Sequence, residues 1–190
     1  MEDVKAQKKD LRQLALELRK NSKKKTHDLA AQLNLLSVLK PLKIRGFSGY
    51  IPIGSEIDPV PVMAKQSGKL EISVPVIDSR DAPLKFSKWV PGCEMLRGPY
   101  NVQIPRRLDW VVPDLIIVPL LLFDLQGARL GYGGGFYDRT IQQLRSRANL
   151  IVIGMAYSSQ QIDSVPVEDT DQYLDGVVTE KEIFWFNRDF

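Results

Sequence analysis

The sequence predicts an α/β domain built around a largely parallel β-sheet. Short aliphatic runs with the composition of buried strands, at 116–118 and 150–155, alternate with stretches of helical periodicity such as 26–39. Turns that contain proline or glycine separate these elements, and this alternation is typical of layered α/β domains. With 190 residues and 44% hydrophobic content, the chain is long enough for one domain with a substantial core.

The composition is that of an ordinary soluble globular protein. The net charge of +3 is small, and much of the positive excess lies near the N-terminus, which argues against a nucleic-acid-binding surface. Cys93 is the only cysteine, which excludes an intrachain disulfide and a cysteine-based zinc site. The sequence shows no apolar signal region and no apolar run of about 18 residues. We therefore expect a cytoplasmic protein that binds neither nucleic acid nor membranes.

The first two elements are predicted to be helices, at 2–20 and 26–39. Lys8 and Arg12 are four residues apart and therefore share one face of the first helix. Such a pair is usually part of a solvated basic face.

A strand predicted at 44–53 is followed by a loop that carries Glu56 and then by a short helix at 60–66. In open α/β sheets, ligands bind beyond the carboxyl ends of the strands. A carboxylate at this place can accept hydrogen bonds from a ligand. The alternative is an acidic residue that the helix dipole favours at a helix N-terminus.

A second strand is predicted at 70–76, and the segment 77–113 that follows it has little periodicity. Its aromatic residues argue against disorder, and long irregular stretches inside a domain are usually functional. Trp89 in this segment can stack on a flat aromatic ligand or can fill the core, and the sequence favours neither. After a further strand at 150–155, a last one is predicted at 174–178, and no function is assigned to the tail 184–190.

The stretch with the most specific chemistry is 129–139, RLGYGGGFYDR, which lies between a strand and a predicted helix at 136–147. Glycine reaches φ > 0 at little steric cost and lets anions approach backbone N–H groups, and the helix N-terminus adds unpaired donors. Arg129 and Arg139 add positive charge, and Asp138 can hold a metal ion that accompanies phosphates. The pattern fits neither a Walker A loop nor a GxGxxG loop, so a phosphate cradle and a tight structural turn both stay open.

This glycine-rich stretch, preceded by Pro119 and Phe123-Asp124, resembles the signature of the 5-formyltetrahydrofolate cyclo-ligase family, also called methenyltetrahydrofolate synthetases. Thr170 stands where that family usually has histidine, so no histidine-dependent role is expected. Other blocks resemble the family in the same order along the chain: Lys8-Lys-Asp-Leu-Arg12, Tyr50-Ile-Pro-Ile-Gly-Ser-Glu56-Ile-Asp58, Phe86-Ser-Lys-Trp89, Gly98-Pro-Tyr-Asn-Val-Gln-Ile-Pro105, and Pro166, Glu168 and Asp171.

The resemblance implies a single three-layer α/β/α domain over residues 1–190. It also implies the ATP-dependent cyclisation of 5-formyltetrahydrofolate to 5,10-methenyltetrahydrofolate, with Mg²⁺ as cofactor, and we expect a monomer. No enzyme nucleophile is needed, which agrees with the lack of an evident nucleophile and base pair in the sequence. The implied catalytic residues are Lys8, Arg12 and Arg129, and the implied metal ligands are Asp138 and Asp171.

The nucleotide site that the resemblance implies combines the first helix with the glycine-rich stretch. Its residues are Lys8, Lys9, Asp10, Leu11, Arg12, Arg129, Leu130, Gly131, Tyr132, Gly133, Gly134, Gly135, Phe136 and Tyr137. The implied folate site consists of Ile51, Glu56, Trp89, Tyr132, Gly133, Gly134, Gly135 and Phe136. Lys5 and Lys9 compete with Lys8 for the phosphate contact.

Two other functions stay open at this point. One is a relative that binds folate or nucleotide without turnover, for which Thr170 is the only hint. The other, which ranks last because it leaves the glycine-rich stretch and Glu56 unexplained, is a module that binds RNA or membranes through the N-terminal lysines. It would make binding depend steeply on salt.

Overall fold

The computed structural model describes residues 2–186, in which four α-helices and twelve β-strands follow one another along the chain. The helices are α1 Glu2–Ser22, α2 Lys25–Leu39, α3 Val60–Gln66 and α4 Phe136–Arg145. The strands are β1 Gly46–Ser48, β2 Glu71–Val76, β3 Lys85–Lys88, β4 Met95–Arg97, β5 Gln103–Pro105, β6 Trp110–Val111, β7 Leu115–Pro119, β8 Leu122–Phe123, β9 Arg129–Leu130, β10 Ile151–Met155, β11 Gly176–Val178 and β12 Ile183–Trp185.

Eight of these strands form one sheet, in the order β12-β11-β10-β7-β1-β2-β3-β6. The strands from β11 to β2 in that order are parallel to one another, whereas β12 at one edge and β3 and β6 at the other are antiparallel to their neighbours. The pairs β4-β5 and β8-β9 form two small separate sheets. The predicted α/β class with a largely parallel sheet is therefore confirmed.

Strand β7 explains why the sequence contains a continuous aliphatic run. Leu115 and Ile117 point into a core cluster shared with α2 and α3, whereas Ile116 and Val118 point into a second cluster shared with α4. Because helices cover both faces of the sheet, both alternating sets of side chains must be apolar. The result is three layers, with the sheet between α2 and α3 on one side and α4 on the other.

The structure corrects the prediction in three segments. Residues 77–113, predicted to be irregular, contain β3 to β6, which are two to four residues long and too short to give a detectable alternating pattern. The strand predicted at 44–53 ends at Ser48, where the chain leaves the sheet and Tyr50 turns into the core. The tail contributes to β12, which pairs with β11, while residues 187–190 lie outside the described residues.

Helix α1 packs against the loops that follow the carboxyl ends of the parallel strands. Its Ala15 lies in a third core cluster with Leu121 and Leu122, which follow β7, and with Leu130 of β9. This arrangement brings the polar residues of α1 to the edge of the sheet where ligands of α/β proteins bind. Among the helices of residues 2–186, none combines the length and apolar character required to cross a lipid bilayer.

Candidate active site

The glycine-rich loop lies directly against α1. The Nε atom of Arg12 donates a hydrogen bond to the carbonyl oxygen of Gly131 at 2.9 Å. Gly133 has φ +94°, and a Cβ atom there would lie 3.1 Å from the guanidinium carbon of Arg12. The left-handed backbone favours glycine at this position, and a side chain there would also displace the Arg12 guanidinium. The loop ends at Gly135, after which α4 begins at Phe136.

Lys8 is buried and held by two carboxylates. Its Nζ donates to Oε2 of Glu168 at 2.8 Å and to Oδ2 of Asp171 at 2.5 Å, and the residue is 4% exposed. Burial alone would lower the pKa of Lys8, but hydrogen bonds to Asp171 and Glu168 outweigh it and raise that pKa above its ordinary value. Lys8 is therefore a charged group inside the structure, and a solvated basic face does not describe it.

Arg129 joins β9 to α4 and to the loop that precedes β11. Its Nη2 donates to Oδ1 of Asp138 at 2.7 Å, and its Nη1 donates to the carbonyl oxygen of Gln172. The backbone N–H of Gln172 also donates to Oδ1 of Asp138, at 3.1 Å. Because Gln172 follows Asp171 directly, these contacts bring both predicted metal ligands into one region next to Arg129.

Glu56 lies beneath Tyr132 of the glycine-rich loop and is 3% exposed. Its Oε2 accepts a hydrogen bond from the Ile53 N–H at 2.8 Å, and its Oε1 accepts one from the Tyr132 hydroxyl at 3.1 Å. Arg19 lies beside it, with Nη1 3.6 Å from Oε1. Burial raises the pKa of Glu56 above its ordinary value, although the Ile53 N–H and Arg19 act in the opposite direction.

The chain matches a known protein family over most of its length. Residues 4–180 match the family model described as the 5-formyltetrahydrofolate cyclo-ligase family. The chain belongs to the 5-formyltetrahydrofolate cyclo-ligase family.

Curated cyclo-ligases from several bacteria resemble the chain. The Escherichia coli K12 protein is 33% identical over 144 residues, covering 71% of this chain and 78% of that protein. The Mycolicibacterium smegmatis protein is 33% identical over 158 residues, covering 75% and 78% respectively. The alignment with the Haemophilus influenzae protein is 37% identical but covers only 49% of that protein.

Two solved structures share the fold along most of their length. The 5,10-methenyltetrahydrofolate synthetase of Aquifex aeolicus, determined by NMR, superposes with a TM-score of 0.79 at 27% identity, covering 96% of this chain and 94% of that one. The Mycoplasma pneumoniae synthetase gives a TM-score of 0.70 at 24% identity, covering 91% and 98%, and bears on the fold alone.

The cyclo-ligase site contains oxygen ligands that suit Mg²⁺. Asp138 and Asp171 are carboxylates with side chains 27% and 20% exposed, so both are accessible to a hydrated ion. Mg²⁺ is usually held by one or two carboxylates together with substrate phosphates and water. Within residues 2–186, no group of three or more histidine, cysteine, aspartate or glutamate side chains is arranged to hold a metal ion.

Most of the other predicted cyclo-ligase residues lie near the glycine-rich loop, but their side chains differ in access. Lys5, Lys9 and Asp10 are exposed, whereas Leu11 and Leu130 pack in the third core cluster. Ile51, Phe136 and Tyr137 are half-buried against the two larger clusters, and Gly134 on the loop is exposed. Of the three candidate lysines, Lys8 is the one held at Asp171.

Trp89 lies away from the glycine-rich loop, and the structure does not support the predicted folate contact. Its backbone N–H donates to the carbonyl oxygen of Ile72 at 2.8 Å, near the start of β2. Its ring is buried in the first core cluster, together with Phe47. The loop follows the carboxyl ends of the parallel strands, so Trp89 lies toward the opposite edge. Core filling, the alternative left open by the sequence, fits this placement.

Two residues near the site are not among the site residues predicted from the sequence. Arg19 is 3% exposed, and it lies on the same face of α1 as Lys8 and Arg12 because residues 4 and 11 positions apart fall within about 40° of each other around a helix. Tyr100, at the tip of the β4-β5 hairpin, packs edge-on against Phe136 with ring centroids 5.7 Å apart. The helical spacing of Arg19 was a usable signal, whereas the Tyr100 contact joins distant segments.

Proposed function

We propose that this protein catalyses the ATP-dependent cyclisation of 5-formyltetrahydrofolate to 5,10-methenyltetrahydrofolate, with release of ADP and phosphate. That reaction is the one known for the family. The observation that carries the proposal is that Arg12 contacts the glycine-rich loop at Gly131, while Lys8 contacts Asp171 and Arg129 contacts Asp138. This set supplies the cations and backbone donors that phosphoryl transfer requires.

The chemistry begins with the formyl oxygen, which is a poor leaving group until it is phosphorylated. In the proposed mechanism, that oxygen attacks the γ-phosphorus of ATP, and the bond to the bridging oxygen breaks to release ADP. Folate N10 then attacks the activated carbon, the N10 proton is lost, and the C–O bond breaks to release phosphate. No covalent bond to the enzyme forms, so the protein contributes positioning and charge neutralisation.

Lys8, Arg12 and Arg129 are proposed to bind the phosphates. In the structure, Lys8 and Arg129 each contact a carboxylate, so phosphate oxygens would replace Asp171 and Asp138 as their partners. The two released carboxylates would then be free to hold Mg²⁺. Mg²⁺ held by these carboxylates would supply charge neutralisation to the phosphates. Nucleotide and metal should therefore bind together more readily than either binds alone.

Glu56 is proposed to orient the pterin ring. An ionised carboxylate has about four acceptor positions. One on Oε2 is used by the Ile53 N–H and one on Oε1 by the Tyr132 hydroxyl, which leaves one on each oxygen. Two remaining acceptors suit the adjacent N–H groups of an aminopyrimidinone edge. Ile51 and Phe136 would form apolar walls of the same subsite, together with the backbone of the loop.

The test is the absorbance of the methenyl product when purified protein is mixed with 5-formyltetrahydrofolate, ATP and Mg²⁺. Controls omit ATP, omit the metal, or use Asp138→Ala. An absorbance increase that needs all components is the expected result. No increase from folded protein that still binds folate by calorimetry would refute the proposal in favour of a non-catalytic binding relative.

We further propose that the protein works in the cytoplasm as a monomer, without nucleic acid or membrane partners. Sedimentation velocity at assay concentrations tests the monomer, and a dimer of the active species would contradict it. Filter binding to RNA over a range of salt concentrations tests the N-terminal lysines, and tight salt-dependent binding would contradict the absence of a nucleic-acid partner.

A further inference from the structure

Arg19 is a buried cation that connects three segments at the carboxyl edge of the sheet. Its Nε donates to the Ser55 hydroxyl at 3.1 Å, in the loop that carries Glu56. Its Nη1 donates to the carbonyl oxygen of Leu120 at 3.4 Å, directly after β7. Its Nη2 donates to the hydroxyl of Tyr132 on the glycine-rich loop. The guanidinium is 3% exposed and lies 3.6 Å from the carboxylate of Glu56. It is not one of the residues proposed to bind phosphate.

The contacts of Arg19 fix the direction of a short hydrogen-bond chain. A guanidinium group can only donate hydrogen bonds. The Tyr132 hydroxyl must therefore accept from Arg19, and its own proton is directed to Oε1 of Glu56, 3.1 Å away. The guanidinium carbon also lies 5.4 Å from the centroid of the Tyr132 ring. Arg19 thus lies close to the Tyr132 ring and orients its hydroxyl.

The charged and titratable groups that face Glu56 come from every element around it. Arg19 and Lys23 are the cations, and Lys23 Nζ donates to the Glu56 carbonyl oxygen at 2.5 Å. The phenols that interact with its carboxylate are Tyr50, Tyr132 and Tyr137. A carboxylate that is 3% exposed loses most of its solvation, and the Ile53 N–H and the buried Arg19 offset part of that loss.

We propose that Arg19 is a positioning residue of the folate subsite, which keeps Glu56 ionised and orients Tyr132 toward it. This inference rests on the proposed function, because ionised Glu56 matters only if it accepts hydrogen bonds from the pterin edge. A protonated Glu56 would present a donor to the N–H groups of the ligand and would bind them poorly. Arg19 acts on the substrate through Glu56 and Tyr132, and it makes no contact with the reacting atoms.

The test compares Arg19→Gln and Arg19→Lys with Lys20→Gln, which removes an exposed cation from the same turn of α1. KM for 5-formyltetrahydrofolate, KM for ATP and kcat are measured from about pH 5.5 to pH 8.5, on either side of neutrality. We expect Arg19→Gln to raise the folate KM roughly tenfold or more at neutral pH, with the ATP KM within about threefold.

The pH profile separates positioning from simple stabilisation. Without Arg19, Glu56 should take up a proton at higher pH. As pH is lowered, the folate KM of Arg19→Gln should therefore start to rise at a higher pH than the folate KM of the natural protein. Arg19→Lys keeps the charge and should restore the natural pH profile even if its KM is raised. Lys20→Gln should match the natural protein throughout.

Several outcomes would overturn the proposal. An unchanged folate KM in Arg19→Gln would overturn it. Equal changes in the folate and ATP KM values with an unshifted pH profile would also overturn it, because that result is expected of a residue with only a structural role. If Arg19→Gln does not fold, Tyr132→Phe removes the hydroxyl alone and should also raise the folate KM, and no increase would refute the chain. Calorimetric titration with 5-formyltetrahydrofolate in the absence of ATP tests Arg19 even if turnover fails, so the two proposals can fail separately.

Discussion

Replacing Glu56 with glutamine is the sharpest single test of the folate subsite. The change is nearly isosteric, and the amide oxygen can still accept from the Ile53 N–H, which lies 2.8 Å from Oε2 of the carboxylate. The amide nitrogen cannot accept from the Tyr132 hydroxyl, which lies 3.1 Å from Oε1. The substitution therefore removes the negative charge and one of the two acceptors that the pterin edge would use.

The size of the effect follows from that loss. A hydrogen bond to a charged group contributes about 1.5–3 kcal/mol, which corresponds to roughly a 10- to 150-fold change in affinity. We expect the folate KM of Glu56→Gln to rise by this factor. The ATP KM should stay within about threefold, because the nucleotide is assigned to Lys8, Arg12 and Arg129 and not to Glu56.

Although Glu56→Gln should weaken folate binding, it should not lower the stability of the protein. Burial raises the folded-state pKa of Glu56 above its ordinary value of 4.5. Between the unfolded and folded pKa values the native state binds more protons, so this group makes the protein less stable as pH rises through that window. Glutamine removes the cost. We expect the Tm of Glu56→Gln to equal or exceed that of the natural protein at neutral pH, and the difference to shrink as pH falls toward 4.5.

The measurements are product absorbance for kcat and both KM values, and scanning fluorimetry for Tm at several pH values. Glu17→Gln, at an exposed position of α1, is the matched control. An increase confined to the ATP KM would refute the assignment of Glu56 to folate. A lower Tm at neutral pH would refute the argument that its burial is costly.

Further predictions concern the phosphate side and the core. Arg129→Gln should lower kcat roughly 10²- to 10³-fold in product assays, as for the loss of one transition-state donor, and unchanged kcat would exclude its role. Asp138→Asn should weaken Mn²⁺ binding in the presence of nucleotide, measured by electron paramagnetic resonance, and unchanged binding would exclude it as a ligand. Gly154→Ala should destabilise the fold by about 1–3 kcal/mol in urea unfolding, because the new Cβ would lie 2.7 Å from Leu120 Cδ2; equal stability would contradict that clash. Trp89→Phe should lower stability but leave the folate KM unchanged, and a raised KM would return Trp89 to the substrate site.

The features that could be predicted from the sequence are local ones. A run of aliphatic residues, buried on both faces of the sheet, indicates strand β7. Helix α3 has the bounds Val60–Gln66 in both prediction and structure. The glycine-rich loop is equally local, because consecutive glycines allow the backbone conformation that it adopts. In each case the residues that determine the conformation are neighbours along the chain.

The features that could not be predicted depend on distant pairing. Strands β3 and β6 are four and two residues long and become strands only through their antiparallel partners. The helical spacing of Arg19 places it on the face of Lys8 and Arg12, but its hydrogen-bond partners are 36, 101 and 113 positions away, so no window of sequence contains its contacts. The aromatic character of Trp89 suited a ligand or the core equally well, and only the position of β2 decides between them.

Helix α1 also fixes the distance between Lys8 and Arg19. At a rise of 1.5 Å per residue, Lys8 and Arg19 lie about 16 Å apart along its axis, so one rigid helix would set the spacing between the proposed phosphate and folate subsites. Inserting one alanine between Arg12 and Ala15 would turn the two ends about 100° relative to each other, and inserting four would nearly restore the face but lengthen the helix by about 6 Å. Although many of its side chains are exposed, α1 should therefore tolerate substitution far better than any change in its length.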